Sequence, residues 1–555
     1  MNNNALIIYV EDYFTKIEDS LKCILKAFAN RTCKTVIIGN NINGDLILKD
    51  YSDAVIISGS NQGLMAEAER YISMNRDICK CENIYLMSSS LAGPVCDINS
   101  MLDKMAEHDC SIMNQKNVRF VAVKGSLVNE TISLMGLVNN CENIYSDTDL
   151  MLEPYTAVSR DRVPFVDMYA FVQETSDVLK FSAGEDIARV MDYIKKSSEY
   201  DENIIWDNIL RDGHMSDVVY NLKLDYVLSA DMSKNIPDRK IAMILHIYYS
   251  DLAPRCFEYA KSMPQISDIY ITTDTREKCE EFKKLFMQGN FNKVESILIE
   301  NRGRDVSALL TGAKKIVNNY DYVLFVHDKK VEHMDNRIKG ESFAYKCFDN
   351  LLDSRDYVNN IINTFEANER LGLLCPPPPN HADYYPTLGY FDWGMNYGNT
   401  FELKEKLGLK VKLDWSKEPI SPLGTMFWFR PKAMKLLFDK DWKYEDFPPE
   451  PNGIDGTLLH AIERIYSYIV QESGYYPAWV MSERNAGMEM CNLYYMIKKL
   501  DKKVFNVYGA AAFNPLCDSI ENGNQNAEYI RSISTRKFIR YKLSGIYRRL
   551  FGKKE

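Results

Sequence analysis

The same succession of short apolar strands and amphipathic helices occurs twice along this chain of 555 residues. Short apolar runs that alternate with helical periodicity are typical of buried parallel strands in an α/β sheet. The first series of predicted strands is Leu6–Val10, Thr35–Ile38, Ala54–Ser58 and Ile84–Met87, and the second is Ile241–Tyr248, Ile269–Thr272, Ser296–Glu300 and Tyr322–Val326. This repetition predicts an α/β protein with two tandem domains.

A short motif after the third strand of each series supports an internal duplication. Asn61-Gln62-Gly63 follows that strand in the first half, and Asn301-Arg302-Gly303 follows it in the second. The polar segment 233–239, with one proline, separates the two halves. We therefore expect an N-terminal domain over residues 1–232, a second domain over residues 238–500, and a C-terminal extension over residues 501–555.

Composition and charge argue against several classes of protein. The formal net charge is -10, and such an acidic balance disfavours general nucleic-acid binding. No apolar run approaches the ~18 residues that cross a bilayer, and the first residues lack the pattern of a secretory signal. The thirteen cysteines are scattered without a zinc-binding spacing, so we expect free thiols and a cytoplasmic location.

The last residues of the chain differ from the rest in charge. From Tyr529 onward basic and apolar residues are interleaved, and Glu555 is the only acid. A basic amphipathic stretch of this kind fits an anionic membrane surface, although a solvated helix or one that docks on a partner would look similar. We expect the tail to hold the protein at the inner face of the plasma membrane.

Basic side chains gather after two strands of the second half. One segment runs from Glu300 through Asn301, Arg302, Gly303 and Arg304 to Asp305, and the other is His327-Asp328-Lys329-Lys330. Because ligands bind outside the carboxyl ends of strands in open α/β sheets, both segments should face one crevice. Guanidinium and ammonium groups there suit a diphosphate, whereas surface ion pairing is the alternative interpretation.

Two further strand ends are expected at the same edge. His246 and Tyr248 end the first strand of the second half, while Thr273 and Asp274 end the second strand. A carboxylate at such a position could accept a hydrogen bond from a nucleotide base or ribose. Taken alone, His246 is as compatible with a structural role as with a site.

Asp455 lies just before a predicted helix that begins near Leu458. As a helix cap it would stabilise the helix by ~1 kcal/mol. As a general base it would remove a proton from an attacking hydroxyl group. Both interpretations stay open on the sequence.

Residues 238–500 resemble the rhamnan synthesis protein F family of bacterial polysaccharide glycosyltransferases. The segments that carry the resemblance are His246-Ile-Tyr-Tyr, residues 301–305, 320–330, 423–430, 455–464 and 471–479. The first half resembles the family's other domain more weakly, through residues 61–63 and 85–94.

The resemblance implies two Rossmann-like domains of the glycosyltransferase type A fold. It also implies a nucleotide-activated deoxysugar donor, first of all dTDP-L-rhamnose, and a lipid-linked glycan acceptor. The expected reaction is an inverting displacement with Asp455 as the base. A fucosyl or galactosyl donor would fit the same frame, with the choice set by pocket walls such as Trp393, Tyr385 and Trp428.

Many enzymes of this fold carry Asp-x-Asp after the fourth strand to hold a divalent metal. Here that place reads His327-Asp328-Lys329, a poor site because hard cations prefer several oxygen ligands. We therefore expect no cofactor and assign the metal's charge to Lys329, Lys330 and Arg304.

The first domain lacks these charges, since Leu64-Met65 and Ser88-Ser89-Ser90 stand at the corresponding places. We expect it to be weakened or non-catalytic and to hold acceptor glycan. The alternative for the whole chain is a non-catalytic scaffold in which both domains bind glycan.

Overall fold

The structure is a computed structural model, and it describes residues 3–14, 17–40, 42–113, 118–130, 133–144, 164–174, 186–330, 337–378, 393–453 and 455–508. The predicted basic tail and Tyr385 lie outside the described residues. Within those ranges, none of the helices combines the length and the apolar character needed to cross a membrane.

The described strands, in chain order, are β1 (Ala5–Tyr9), β2 (Lys34–Ile38), β3 (Ala54–Ile57), β4 (Asn83–Ser88), β5 (Leu91–Ala92), β6 (Cys110–Ile112), β7 (Phe120–Lys124), β8 (Glu142–Asn143), β9 (Val166–Asp167), β10 (Asp225–Leu228), β11 (Ile241–His246), β12 (Asp268–Thr273), β13 (Lys293–Leu298), β14 (Tyr322–His327), β15 (Leu371–Cys375), β16 (Phe427–Phe429) and β17 (Tyr476–Ser482).

The described α-helices are α1 (Glu18–Phe28), α2 (Gly44–Leu48), α3 (Leu64–Met74), α4 (Asn99–Ala106), α5 (Gly125–Glu130), α6 (Leu134–Val138), α7 (Tyr169–Val172), α8 (Asp186–Ser197), α9 (Glu202–Asp212), α10 (Met215–Asn221), α11 (Ala253–Ala260), α12 (Arg276–Phe286), α13 (Arg304–Ser307), α14 (Lys314–Val317), α15 (Arg337–Leu352), α16 (Arg355–Ala367), α17 (Tyr397–Leu407), α18 (Lys435–Asp439), α19 (Leu458–Glu472) and α20 (Glu483–Tyr508).

Two sheets organise the chain, and they share one connectivity. The first has the order β3-β2-β1-β4-β7-β6-β8, and the second has the order β10-β17-β15-β16-β14-β11-β12-β13. In both, four parallel strands are followed by one antiparallel strand, β7 or β16, and then by two strands that run parallel to the first four. Strand β10 extends the second sheet by one further parallel strand. The repeat predicted from strand spacing is thus present as topology, while its assignment to the glycosyltransferase type A fold stays a prediction.

Burial explains why the central strands form where they do. Every residue of β1, β4, β11 and β14 is buried, as expected for parallel strands that are covered by helices on both faces. The flanking helices turn one apolar stripe inward: in α1 the buried Leu21, Ile24, Leu25 and Phe28 follow the helical spacing. Helix and sheet side chains together form the core of each half.

The two sheets do not divide the chain at the predicted domain boundary. Strand β10 precedes residue 232, yet it pairs in parallel with β17 at the edge of the second sheet. We call the part of the chain around the first sheet the first lobe and the part around the second sheet the second lobe. The predicted domain limits remain predictions, but one strand of the first predicted domain belongs to the second lobe's sheet.

The expectation that all thiols are free is wrong for two cysteines. Cys110 in β6 and Cys141, just before β8, are joined in a disulfide. Nine of the other cysteines among the described residues are free thiols: Cys23, Cys33, Cys79, Cys81, Cys256, Cys279, Cys347, Cys375 and Cys491. The pair escaped prediction because its members are 31 positions apart in the sequence, without a recognisable spacing pattern.

Gln471 links the lobes through a buried side chain. It lies in α19, is 4% exposed, and its Nε2 donates to the carbonyl oxygens of Leu210 and Gly213 at the end of α9, at 2.9 Å each. Those two carbonyls would lose this donor if the amide were removed.

We predict that Gln471→Leu lowers the free energy of unfolding by about 1–3 kcal/mol, the cost of leaving buried polar groups unsatisfied. Urea unfolding followed by circular dichroism measures this. The matched control is Gln288→Leu at an exposed position after α12, where the change should stay within about 0.5 kcal/mol. Equal effects of the two substitutions would contradict the assigned role of Gln471.

Candidate functional site

The candidate site lies at the carboxyl ends of β12, β11 and β14. In the register of these parallel strands, His246 stands opposite Thr272 on one side and His327 on the other. The segments that follow the strands therefore leave the sheet at one level, as predicted for ligand-binding edges.

His246 is a buried and neutral side chain. Its Nδ1 lies 3.1 Å from Thr272 Oγ1, and burial lowers the pKa of His246 to about 4, although the Asp305 carboxylate acts in the opposite direction. Thr273 is fully buried beside it at the end of β12. His246 is thus placed to shape the floor of the crevice and carries no charge at neutral pH.

Both ring nitrogens of His327 face backbone carbonyl oxygens. Its Nδ1 and Nε2 lie 2.7 Å from the carbonyl oxygens of Asp328 and Gly424, respectively. The Asp305 carboxylate is also near, with its Oδ2 4.0 Å from His327 Nε2. The ring therefore connects the ends of β14 and of the Gly424 turn with the segment after β13.

The Asp328 side chain is hydrogen-bonded to the backbone at the edge of the crevice. Its Oδ2 accepts hydrogen bonds from the amides of Tyr248 and Tyr249, at 3.0 and 2.6 Å. Burial raises the pKa of Asp328 to about 6, against the opposing effect of these hydrogen bonds. The carboxylate thus fixes the turn after β11.

A lysine that sequence reasoning missed connects two of the predicted positions, Tyr248 and Asp274. Lys278 Nζ lies 2.7 Å from both Asp274 Oδ1 and the carbonyl oxygen of Tyr248, and it sits over the Tyr248 ring at 4.5 Å from the centroid. The spacing of Asp274 and Lys278, four residues apart across a helix start, was the available signal.

Arg302 and Arg304 bind the segment between β16 and α19. Arg302 donates from Nε to the Phe447 carbonyl at 2.7 Å and from a terminal nitrogen to the Glu445 carbonyl at 3.0 Å. Arg304 forms a two-pronged pair with Glu450, at 2.9 and 3.1 Å, and reaches the Asn452 carbonyl at 3.2 Å. Their charges are thus shared with this segment, a partner that sequence reasoning did not assign.

Gly303 makes this contact possible. Its φ is +83°, and a Cβ atom there would lie 2.7 Å from Phe447 Cγ. The space beside this glycine is therefore occupied by an aromatic ring of the same chain. Its neighbour Asn301 is exposed.

Lys329 and Lys330 point in different directions. Lys330 pairs with Asp251 and sits over the Tyr249 ring, at 4.7 Å. Lys329 lies over the Phe343 ring at 4.0 Å and close to Gly424. Lys329 therefore adjoins the Gly424 carbonyl that His327 contacts, while Lys330 belongs to the outer rim.

The turn at Gly424 is held by a carboxylate from α19. Glu463 Oε2 accepts from the Gly424 amide at 2.8 Å and from Thr425 Oγ1 at 3.1 Å. Sequence reasoning did not assign Glu463 a role, although it lies in the segment 455–464 that carried the family resemblance.

Asp455 is ionised and fixed in the loop before α19. Its Oδ1 accepts from Asn396 Nδ2 at 2.6 Å, and its Oδ2 faces the Met395 amide at 3.3 Å. Burial alone would raise the pKa of Asp455, but hydrogen bonds from Asn396, Gly456 and Met395 outweigh it and hold the pKa below its ordinary value. Thr457, not Asp455, occupies the N-cap of α19.

The structure therefore groups the predicted residues into a centre and a rim. The centre is formed by four side chains: His246, Asp305, His327 and Lys329. Three more predicted residues adjoin the centre through the turn after β11 and through Lys278: Tyr248, Asp274 and Asp328. Arg304 reaches the loop that leads to Asp455. Of the predicted sugar-pocket walls, Trp428 lies wholly in the core with its Nε1 on the Leu351 carbonyl, and Trp393 is also buried.

The first lobe repeats this architecture with different chemistry. Ser89 Oγ accepts from the Glu11 amide at 3.1 Å and the Ser89 amide donates to the Tyr9 carbonyl, just as Asp328 accepts from Tyr248 and donates to the His246 carbonyl. Ser89 therefore stands where Asp328 stands, and Tyr9 where His246 stands.

Comparison with known proteins finds one matching family. The family model described as rhamnan synthesis protein F matches residues 137–475. That range includes every residue that we predicted for the donor site, as well as Asp455.

The relatives found are the uncharacterized protein WxcX in two strains of Xanthomonas campestris pv. campestris. Each is 28% identical over 247 residues, which cover 44% of this chain and 33% of WxcX. The chain thus matches about a third of the length of these relatives.

Two solved structures show a weak likeness. The glycosyltransferase GlyE of Streptococcus pneumoniae is 10% identical, covering 66% of this chain and 99% of GlyE, with a TM-score of 0.19. MurG of Acinetobacter baumannii is 9% identical, covering 65% of this chain and 90% of MurG, with a TM-score of 0.15.

The environment of Asp328 predicts a pH effect on stability. A carboxyl group whose pKa is about 6 in the folded state, above its unfolded value, contributes stability that is complete below the unfolded pKa and is lost as the pH rises through about 6. Asn lacks this titration and keeps an oxygen for the two amides. We therefore expect the free energy of unfolding of the wild type, relative to that of Asp328→Asn, to fall by on the order of 2 kcal/mol between pH 4 and pH 7.

Urea titrations of both proteins at a series of pH values measure this difference. A difference in unfolding free energy that stays constant over that range would show that burial does not shift the pKa of Asp328.

Proposed function

The chain belongs to the rhamnan synthesis protein F family, and we propose on that basis that it is a glycosyltransferase of polysaccharide synthesis. The observation that carries the proposal is that the matched range contains both the cationic strand ends and the ionised Asp455. A membrane-bound lipid-linked glycan is the proposed acceptor, reached from the cytoplasmic side through the basic tail after Tyr529.

The proposed donor is a nucleoside diphosphate sugar bound at the second lobe's crevice. Lys329 carries positive charge at its centre, and Arg304 and Lys330 carry it at the rim. These ammonium and guanidinium charges would stabilise the diphosphate, and more strongly as it leaves with an additional negative charge. Among deoxysugar donors we propose dTDP-L-rhamnose, because the family is described by rhamnan synthesis.

The proposed reaction is a single displacement at the anomeric carbon. Asp455 removes the proton from the acceptor hydroxyl, whose oxygen bonds to the anomeric carbon while the bond to the diphosphate breaks. The electron pair of that bond leaves with the nucleoside diphosphate, and the configuration inverts. A lowered pKa keeps Asp455 in the carboxylate form that a base requires.

We further propose that no divalent metal takes part. Asp328, the carboxylate at the place of a metal-binding Asp-x-Asp, has one oxygen engaged by two backbone amides and a lysine next to it in sequence. The fixed cations of the crevice take over the role of neutralising charge.

Replacing Asp455 with Asn should lower kcat by about 10²–10⁴-fold, the usual contribution of a general base. Purified protein, dTDP-L-rhamnose and a lipid-linked acceptor are assayed by release of dTDP, with donor affinity measured separately and expected to persist. Asp441→Asn, an exposed aspartate paired with Lys314, is the matched control and should retain activity.

If the wild type releases no nucleoside diphosphate from any deoxysugar donor in the presence of a competent acceptor, the result would favour the scaffold alternative instead. Activity retained in Asp455→Asn would remove Asp455 from the mechanism while leaving the transferase proposal intact.

Chelation provides a separate test. Treatment with excess EDTA should leave the rate of dTDP release unchanged, because the positive charge is supplied by side chains. Loss of activity that is restored by Mn²⁺ or Mg²⁺ would contradict the metal-independent mechanism.

A further inference from the structure

The first lobe contains a crevice that the proposed donor chemistry does not use. It is a cavity of about 730 Å³ at the carboxyl end of the first sheet, lined among others by Tyr9, Glu11, Asp12, Tyr13 and Tyr169. Tyr13 and Tyr169 present tilted rings 5.0 Å apart, and Tyr13 is 39% exposed. Flat apolar faces beside carboxylates are the groups that bind the faces and hydroxyls of sugars.

The charge of this crevice disfavours a nucleotide. Among the described residues, the charged side chains that line it are three carboxylates, Glu11, Asp12 and Glu69, and one guanidinium, Arg119, which gives a formal charge of -2. Arg119 is itself paired with Glu11 and lies 3.5 Å from Asp167. A dianionic diphosphate would meet repulsion here, whereas a neutral polyhydroxylated ligand would not.

A second cavity, which we call the groove, lies between the two lobes and adjoins the first at Tyr13. It has a volume of about 420 Å³, and Tyr13 lines both cavities. The second lobe contributes Tyr397, Lys412 and Trp415 to the groove, and Trp415 is 55% exposed. Tyr13 thus lies between the first crevice and the groove.

The walls of this groove are fixed in position. Lys417 pairs with Asp217, and Tyr220 donates to Glu418, so that two polar contacts tie the lobes together beside it. A groove between parts that are held in this way can bind an extended ligand without first having to close around it.

The groove is linked to the proposed base through adjacent residues. Tyr397, which lines the groove, is the first residue of α17, and its neighbour Asn396 donates to Asp455 at 2.6 Å. We therefore assign the acceptor hydroxyl to this end of the site, while the other end lies in the first lobe.

We propose that the first crevice and the groove together form a binding site for the neutral acceptor glycan, with the sugars behind the growing end resting on Trp415 and Tyr13. The orientation of the glycan in this site rests on the proposed function, because we place the reacting end of the glycan at Asp455. It gives the first lobe a role in holding the polymer.

The test is direct binding of a neutral L-rhamnose oligosaccharide to the full chain, measured by calorimetric titration without any donor. Tyr13→Ala and Trp415→Ala should each weaken binding by about tenfold or more, which corresponds to at least ~1.4 kcal/mol. Tyr13→Phe keeps the ring and should bind nearly as the wild type does. Tyr494→Ala is the matched control, an exposed tyrosine on α20 that lines neither cavity, and should bind unchanged.

A kinetic measurement complements the titration. In Tyr13→Ala, KM should rise for long acceptors and change little for a disaccharide acceptor, a dependence on length that general destabilisation would not produce. Unchanged melting curves of the variants verify folding.

The outcomes separate this inference from the proposed function. Oligosaccharide binding that is lost in Tyr13→Ala, without turnover of any donor by the wild type, would support the glycan site and reject the transferase. Full affinity for long glycans in both alanine variants, with turnover intact, would overturn the glycan site alone. Binding of dTDP that disappears in Tyr13→Ala would also overturn it, because the crevice would then be a nucleotide site.

Discussion

The parallel pairing of β11 with both β12 and β14 is the constraint on which the candidate site depends. It sets Thr272, His246 and His327 side by side, so the three segments beyond them start from one level of the sheet. The Asp328 carboxylate joins two of these segments, because it follows β14 and accepts hydrogen bonds from two amides of the turn after β11. The shape of the crevice therefore depends on hydrogen bonds to the backbone as well as on charged side chains.

The same constraint acts in the first lobe, and this is why the two crevices can be compared residue by residue. Ser89 and Asp328 accept the equivalent amide, so the turn after the first strand is kept although the charge is not. The turn is thus alike in the two crevices, while the charged groups around it differ: Glu11 pairs with Arg119 in the first, and Asp274 pairs with Lys278 in the second.

Much of the fold could be predicted from the sequence, because fully buried strands are continuous apolar runs with polar ends. The strands around His246 and His327 were predicted within two residues of their observed ends. Strand β10 was not predicted, since four residues of alternating exposure at a sheet edge leave a weak signal. The partners of the site were missed for a different reason: Arg304 and Glu450 are 146 residues apart, and only the folded chain brings them together.

Under the proposed function, the difference in charge between the two crevices gives the two lobes different ligands. A nucleotide sugar brings a diphosphate, and the second crevice offers it Lys329 at its centre and Arg304 and Lys330 at its rim, whereas Arg119, the one cation among the described residues that line the first crevice, is paired with Glu11. The acceptor polymer is neutral in the proposed reaction, so a crevice with excess carboxylates excludes the donor while remaining open to the glycan. Contacts to sugars far from the reacting hydroxyl then supply binding energy that can orient the acceptor at Asp455, provided that the groove past Tyr13 stays rigid. A non-catalytic copy of the domain would in this way contribute to the rate without touching the bond that breaks.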